Sequence, residues 1–217
     1  MSSKKLVTLN QAQVVRNVAN DKDIGRALFQ EALDSGKFNK FLDDLKTASL
    51  GIIPPADARI HCLTIRVKQD IEWQKAINEG APQTPKDFNV RKVGDLYPPM
   101  GKGFSKEEII LLNYPNGDGS WEKALAWAED MGLEKTDPRQ VFSIGKKFPN
   151  LHQTLFDGEL MYVVATKECV FVGSRHACSV WWGGSDRKAR LHWIGHFGGA
   201  GVWFVFRKPL KPQVLCP

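Results

Sequence analysis

An α+β protein is what this sequence predicts, and three observations predict it. From Thr8 to about Lys46 apolar residues recur at three- and four-residue steps, the spacing of helices. From Glu107 a strand is followed by two segments with good helix start signals. From Glu159 onward, short runs rich in Val, Phe, Tyr and Trp are separated by glycines or charged turns, as in a sheet. Helices and strands are segregated along the chain, which favours an N-terminal helical module followed by an antiparallel sheet with two helices.

The elements follow in order. Val14, Val15 and Val18 belong to one helix, and Ile24, Ala27, Leu28, Ala32 and Leu33 to a second. Asn20 and Asp21 supply a break and cap between them, and Gly36 a stop. Phe38, Phe41, Leu42 and Leu45 continue a third. GIIPPADAR (51–59) reads as a linker, and IHCLTIRVK (60–68) suits a strand. Asp70 is placed to cap a short helix that Gly80 ends. The stretch from Ala81 to Lys106 holds Pro82, Pro85, Pro98, Pro99 and three glycines, so it reads as a boundary or a functional loop.

EEIILLNYP then forms a strand, and Asp118 or Ser120 caps WEKALAWAEDMG, whose Trp121, Leu125 and Ala128 share a face. In TDPRQVFSIGKKFP, Thr136 or Asp137 caps, Pro138 takes the first helical position, and Val141, Phe142 and Ile144 point inward. ELMYVVATK, ECVFVG, ACSVWW, ARLHWIGH and GVWFVFRK are the closing strands. Three segments result: a helical module over 1–50, a strand–helix and Pro/Gly-rich connection over 51–106, and a sheet domain over 107–210. Leu111, Trp127, Phe142, Val163, Val172, Val180, Ile194 and Phe204 are the expected core of the last.

Composition narrows the class. Hydrophobic residues at 42% and charged residues at 25% are enough for an ordinary core. A net charge of +6 permits attraction to phosphates, but the positives are scattered, with one cluster at Arg187, Lys188 and Arg190. MSSKKLVTLNQAQ lacks the apolar run of a signal peptide, and no later stretch reaches the length of a membrane span. A cytoplasmic protein without membrane association is the expectation. Cys62, Cys169, Cys178 and Cys216 are few and irregularly spaced, which argues for reduced thiols over a disulfide framework.

The block from Glu107 to Lys208, with SWEKALAWAEDMGLEKTDPRQVF, Gly-rich strands carrying tryptophans and a closing VWFVFRK, resembles the C-type-lectin-like fold. It is similar to a group of uncharacterised bacterial proteins that share the two helices, a KFP segment (Lys147 to Pro149) and an arginine–lysine end. The resemblance implies a loop-rich surface that binds sugars, proteins or other ligands. The Glu-Pro-Asn, Gln-Pro-Asp and Trp-Asn-Asp motifs of calcium-dependent sugar binding are absent, as are the paired lectin cysteines. No cysteine matches the reactive pattern of sulfatase-modifying relatives. Calcium-lectin and sulfatase-modifying activities are thus both disfavoured, and fold analogy assigns nothing further.

Candidate sites come from the late strands. His176 and Cys178 are two apart and His192 and His196 four apart, so each pair would share a face of a strand. On neighbouring strands the four would make a zinc set, zinc being the one cofactor the residues suggest. The competing reading makes them ordinary strand histidines and a small core thiol. Ser179, Cys178 and His176 lie close in sequence, but no Gly-x-Ser-x-Gly elbow marks a nucleophile. GKGF (101–104) lacks the phosphate-loop spacing, and NGDGS (116–120) lacks the ligand alternation of a calcium loop. Trp181, Trp182, Arg187, Lys188, Arg190 and Trp193 surround one hairpin, and aromatics beside cations are how single-stranded nucleic acids are gripped. Adjacent Trp181 and Trp182 must face opposite ways, so one of them is a candidate for a binding surface. Three functions follow: a non-catalytic module binding a protein or small ligand through its loops, a nucleic-acid-associated protein, and a metal-dependent enzyme. The first is preferred over the enzyme reading, and whether the protein is an enzyme stays open.

Overall fold

The helix starts at Trp73, Trp121 and Pro138 are set by side chains that satisfy otherwise orphaned backbone amides. The computed structural model describes residues 26–35 and 37–209. Its contacts divide the chain after Ser49 into two units. The first contains α1 (Arg26–Asp34) and α2 (Lys37–Leu50), which ends at the boundary. The helix expected around Val14, the break at Asn20 and Asp21 and the stop at Gly36 lie outside the described residues.

The second unit runs through β1 (Arg59–Lys68), α3 (Trp73–Gly80), β2 (Phe104–Asn113), α4 (Trp121–Asp130), β3 (Glu134–Lys135), α5 (Pro138–Lys147), α6 (Leu151–Leu155), β4 (Met161–Ala165), β5 (Cys169–Phe171), β6 (Ser174–Gly183), β7 (Asp186–Trp193) and β8 (Val202–Arg207). Ser120 caps α4 through Lys123 N. Asp137 caps α5 in a capping box with Gln140, and Pro138 follows it. At α3 the cap is Glu72, whose carboxylate accepts from the amides of Gln74 and Lys75, and not the expected Asp70. Two residues of extended chain separate Asp70 from the first helical turn, too far for its side chain to reach those amides.

The strands form one mixed sheet. Along its main path β1, β2, β8, β4 and β6 are neighbours, with β7 on the other side of β6, β5 beside the start of β6, and β3 against β8. All pairings are antiparallel except β4 with β8. This corrects the expected purely antiparallel sheet: after β7 the chain crosses back and inserts β8 between β2 and β4, so β8 runs parallel to β4. Insertion explains the continuous apolar run VWFVF, since a strand covered on both sides has no polar face.

Alternate residues serve two cores. On face A, Leu63, Ile65, Ile109, Leu111, Val163, Val180, Trp182, Trp203 and Val205 pack with Trp73, Ile77, Val141, Phe142 and Leu151 of α3, α5 and α6. On face B, Cys62, Ile110, Leu112, Val164, Phe204 and Phe206 pack with Trp121, Ala124, Trp127 and Ala128 of α4. Each fully buried large apolar side chain contributes about 1.5–3 kcal/mol. Of the expected core, only Val172 is misplaced, being 85% exposed. Val172 and Gly173 are the two residues between β5 and β6, with φ of 50° and 74°, as a type I′ turn requires.

The two proline-rich stretches are packed, and the second unit spans 51–106 together with the sheet. Ile52 is buried, and Ile53 O accepts from Trp127 Nε1 at 2.8 Å. Ala81, Thr84, Val90, Val93 and Tyr97 are buried in the supposed boundary. Thr84 Oγ1 accepts from Ala189 N and Gln83 N donates to Arg187 O, so this segment seals the outer edge of β7.

α3 and α5 cross where Gly80 and Gly145 meet. A Cβ on Gly145 would lie 2.3 Å from Gly80 O. Gly145→Ala should therefore destabilise by about 1–3 kcal/mol, reversing the gain that Ala normally brings to a helix interior. Chemical denaturation checks this, and an unchanged or raised midpoint would exclude the close crossing. At the β5–β6 turn the opposite is expected. Val172→Asn relieves a β-branched residue of positive φ and should stabilise by about 1 kcal/mol in the same assay.

Candidate functional site

The register of β6 with β7 decides where the candidate residues go. His176 stands opposite Trp193, Ala177 opposite His192, Cys178 opposite Leu191, Ser179 opposite Arg190, Trp181 opposite Lys188 and Trp182 opposite Arg187. Residues directly opposite share a face. His176 and Cys178 therefore lie on face A and His192 on face B, so the four expected zinc ligands do not converge. One residue of register separates the two arrangements. Among the described residues, no group of three or more His, Cys, Asp or Glu is arranged to hold a metal. Cys178 is wholly buried, and burial pushes its thiol well above the ordinary range, which disfavours the thiolate that binds metal. His176 Nδ1 lies 2.9 Å from Ser174 O.

The aromatic–basic set is divided by the same rule. Trp182 is fully buried on face A, its Nε1 donating to Pro149 O at 3.1 Å. Arg187, opposite it, donates from Nη1 to Gly145 O. Trp193 is half exposed and stands edge-on to His196 at 5.2 Å. Trp181, Lys188 and Arg190 come together on face B. The Lys188 ammonium lies 5.3 Å from the Trp181 ring and pairs with Asp186 at 2.7 Å. Arg190 lies 5.4 Å from the Trp181 ring and 5.5 Å from that of Phe88. It makes no hydrogen bond or ion pair among the described residues, and its Nε is buried without a partner.

α4 packs on β8 through Trp121 on Phe204 and Trp127 on Phe206. Further along face B the side chains of Tyr162, Trp181, Lys188, Arg190 and His192 are only partly covered. One hollow opens there and a second at the outer edge of β7 beside residues 87–89, and His192 lines both. One, of about 430 Å³, is lined by Leu160, Tyr162, His192, His196, Phe197, Gly199, Gly201 and Val202. The other, of about 340 Å³, is lined by Asp87, Phe88, Asn89, Arg190, Leu191 and His192. The His192 ring stands edge-on to Tyr162 at 5.8 Å and to Phe197 at 5.7 Å, and its Nε2 is buried without a partner. Burial first, then the charge of Arg190 and the neighbouring His196 and His176, pulls the His192 pKa down to about 4. Near neutral pH it is an uncharged imidazole with hydrogen-bonding capacity to spare. Ser179 lies beneath on the same face, fully buried, with its Oγ unpartnered.

A cleft of about 610 Å³ lies elsewhere, around Trp73, Arg91, Tyr97 and Arg139. Its two arginines are already employed. Arg139 donates to Ile71 O and Tyr97 O, and Arg91 to Gln74, Asn78, Thr84 O and Pro85 O. These groups hold the fold, whereas Arg190 and His192 have spare capacity. Tyr162, Phe88 and Phe197 escaped the reading of the sequence. Phe88 comes from the loop singled out there, but only register and tertiary packing bring it to Arg190. Compared with known proteins, the chain matches no family model, no curated protein and no solved structure.

The depressed His192 pKa carries a sign. Between about 6.5 and about 4 the unfolded chain takes up a proton that the folded protein refuses, so this contribution is present above pH 6.5 and lost as pH falls toward 4. His192→Gln removes the linkage and should lose less stability across that window, by about 1–3 kcal/mol. Urea denaturation of both proteins at pH 7.5 and pH 4.5 measures it, and parallel losses would mean that His192 is exposed and ordinary.

Proposed function

We propose that this protein is a non-catalytic binding protein that takes a small ligand on the open part of face B, around His192. The observation that carries this reading is that His192 walls two adjoining hollows while its Nε2, and the Nε of Arg190 beside it, have no partner. Buried polar groups without partners are costly, and a ligand that bonds them recovers that cost. The hollows have the size and mixed lining of small-molecule sites. The resemblance to the C-type-lectin-like fold belongs with this proposal. Ligand binding there is a property of loops, and here the segment from Ile194 to Gly201 supplies His196, Phe197 and Gly199 to the larger hollow. Ser179 is sealed below the surface, and the one carboxylate lining either hollow is that of Asp87, at an exposed rim position. Recognition therefore accounts for these side chains better than acid–base or nucleophilic chemistry.

Gly199 offers a clean block, because a Cβ there meets nothing within 4 Å. In amide NMR titrations with a library of small neutral and charged fragments, shifts should gather at residues 160–162 and 190–202. Gly199→Phe, whose ring occupies the hollow, should weaken those hits by about tenfold or more while leaving the rest of the spectrum in place. Hits confined to the Trp73–Arg139 cleft, or none at the His192 hollows, would sink this reading.

A further inference from the structure

We infer that the ligand is an aromatic acid carrying a single negative charge, its carboxylate taken by Arg190 and its ring seated beside His192 against Tyr162 and Phe197. This inference rests on the binding reading above and adds the chemical class.

The charge comes from counting the groups at the site. Of the two cations beside the Trp181 ring, Lys188 is already paired with Asp186, whereas the Nε of Arg190 has no acceptor. Rings at 5.4 and 5.5 Å hold the guanidinium, which fixes its plane without using its N–H groups. A planar donor so placed, with a buried Nε to satisfy, matches the two oxygens of a carboxylate. Asp87 lines the same hollow and opposes a second negative charge, so one charge fits and a polyphosphate does not. His192 adds no charge and keeps a free ring nitrogen for a hydrogen bond.

The ring comes from the lining of the neighbouring hollow. The His192 ring is edge-on to both Tyr162 and Phe197, an arrangement that leaves ring faces and edges for a further aromatic group. Leu160 and Val202 supply apolar walls, and the glycines at 199 and 201 keep the floor low. Gly201 has no freedom to change, since a Cβ there would meet Leu160 O at 2.5 Å. His192 borders both hollows, so a ligand of this kind would run along its ring with the acid toward Arg190.

The test uses three probes of similar length: 3-phenylpropionate, its primary amide, and hexanoate. Each is titrated into wild type, Arg190→Gln and Gly199→Phe while amide and His192 ring signals are followed. Arg190→Lys serves as a second variant that keeps the charge but loses the planar fork. The acid should bind about tenfold tighter than its amide and about fivefold or more tighter than hexanoate. Arg190→Gln should erase the acid–amide difference, Arg190→Lys should keep part of it, and Gly199→Phe should abolish binding of all three. Equal binding of acid and amide, or an acid preference that survives Arg190→Gln, overturns the carboxylate assignment. Hexanoate binding as well as the phenyl acid overturns the aromatic one. Loss of all three probes while neutral fragments still shift the His192 signals overturns this inference alone. Silence from every fragment at these hollows overturns the binding reading itself.

Discussion

Glu107 lies on β2 with almost none of its surface exposed, so its carboxylate depends on the protein for the hydrogen bonds that water would supply. Three elements provide them. Gln69, in the turn after β1, donates at 2.9 Å, Ser105 on β2 itself donates at 2.5 Å, and Gln140 of α5 donates to the other oxygen. Arg207 of β8 approaches to 3.9 Å and also pairs with Glu134 of β3. Gln140 in turn accepts from Asp137 N, closing the capping box that starts α5. One buried charge thereby fixes the start of a helix relative to the strands it covers. Without it the Ser105 hydroxyl and the Gln140 amide would lose their acceptor, at about 1–3 kcal/mol apiece. The same helix carries Gly145 to its close crossing with α3, so the face A core is assembled around this network.

Face B is organised differently. Its covered half is hydrophobic, with Trp121 against Phe197 and Phe204, and its polar residues begin where α4 leaves off. Phe197 joins the two halves, since it packs against Trp121 on one side and His192 on the other. The burial that lowers the His192 pKa is thus tied to the core through one ring. Among the described residues no helix is long and apolar enough to cross a membrane.

Much of the architecture could be read in advance from local chemistry. Capping residues, proline at the first turn and alternating apolar runs located α4, α5 and the strands after Glu159, because these signals act within a few residues. Two acidic side chains, Asp70 and Glu72, stand before α3, and only the backbone path chooses Glu72 as its cap. The β-branched, apolar character of Val172 says strand core, while the two-residue connection between β5 and β6 forces it to positive φ.

The candidate site was legible in pieces. Trp181, Lys188 and Arg190 stand out in the sequence as part of one aromatic and basic set, His192 and His196 as part of a separate metal-ligand set, and the loop containing Phe88 by its prolines. The sequence by itself determined the α+β class, most helix boundaries, the composition of the core and the neighbourhood of the site. Tertiary structure alone decided the insertion of β8 beside β4, the burial of Trp182 and the separation of Cys178 from His192. The reason is parity. Side chains alternate along a strand, so moving the β6–β7 register by one residue exchanges the faces of every side chain on one strand relative to its partner. Nothing local to either strand specifies that register. It is set by the two-residue turn at Gly184 and Ser185 together with what each face must pack against.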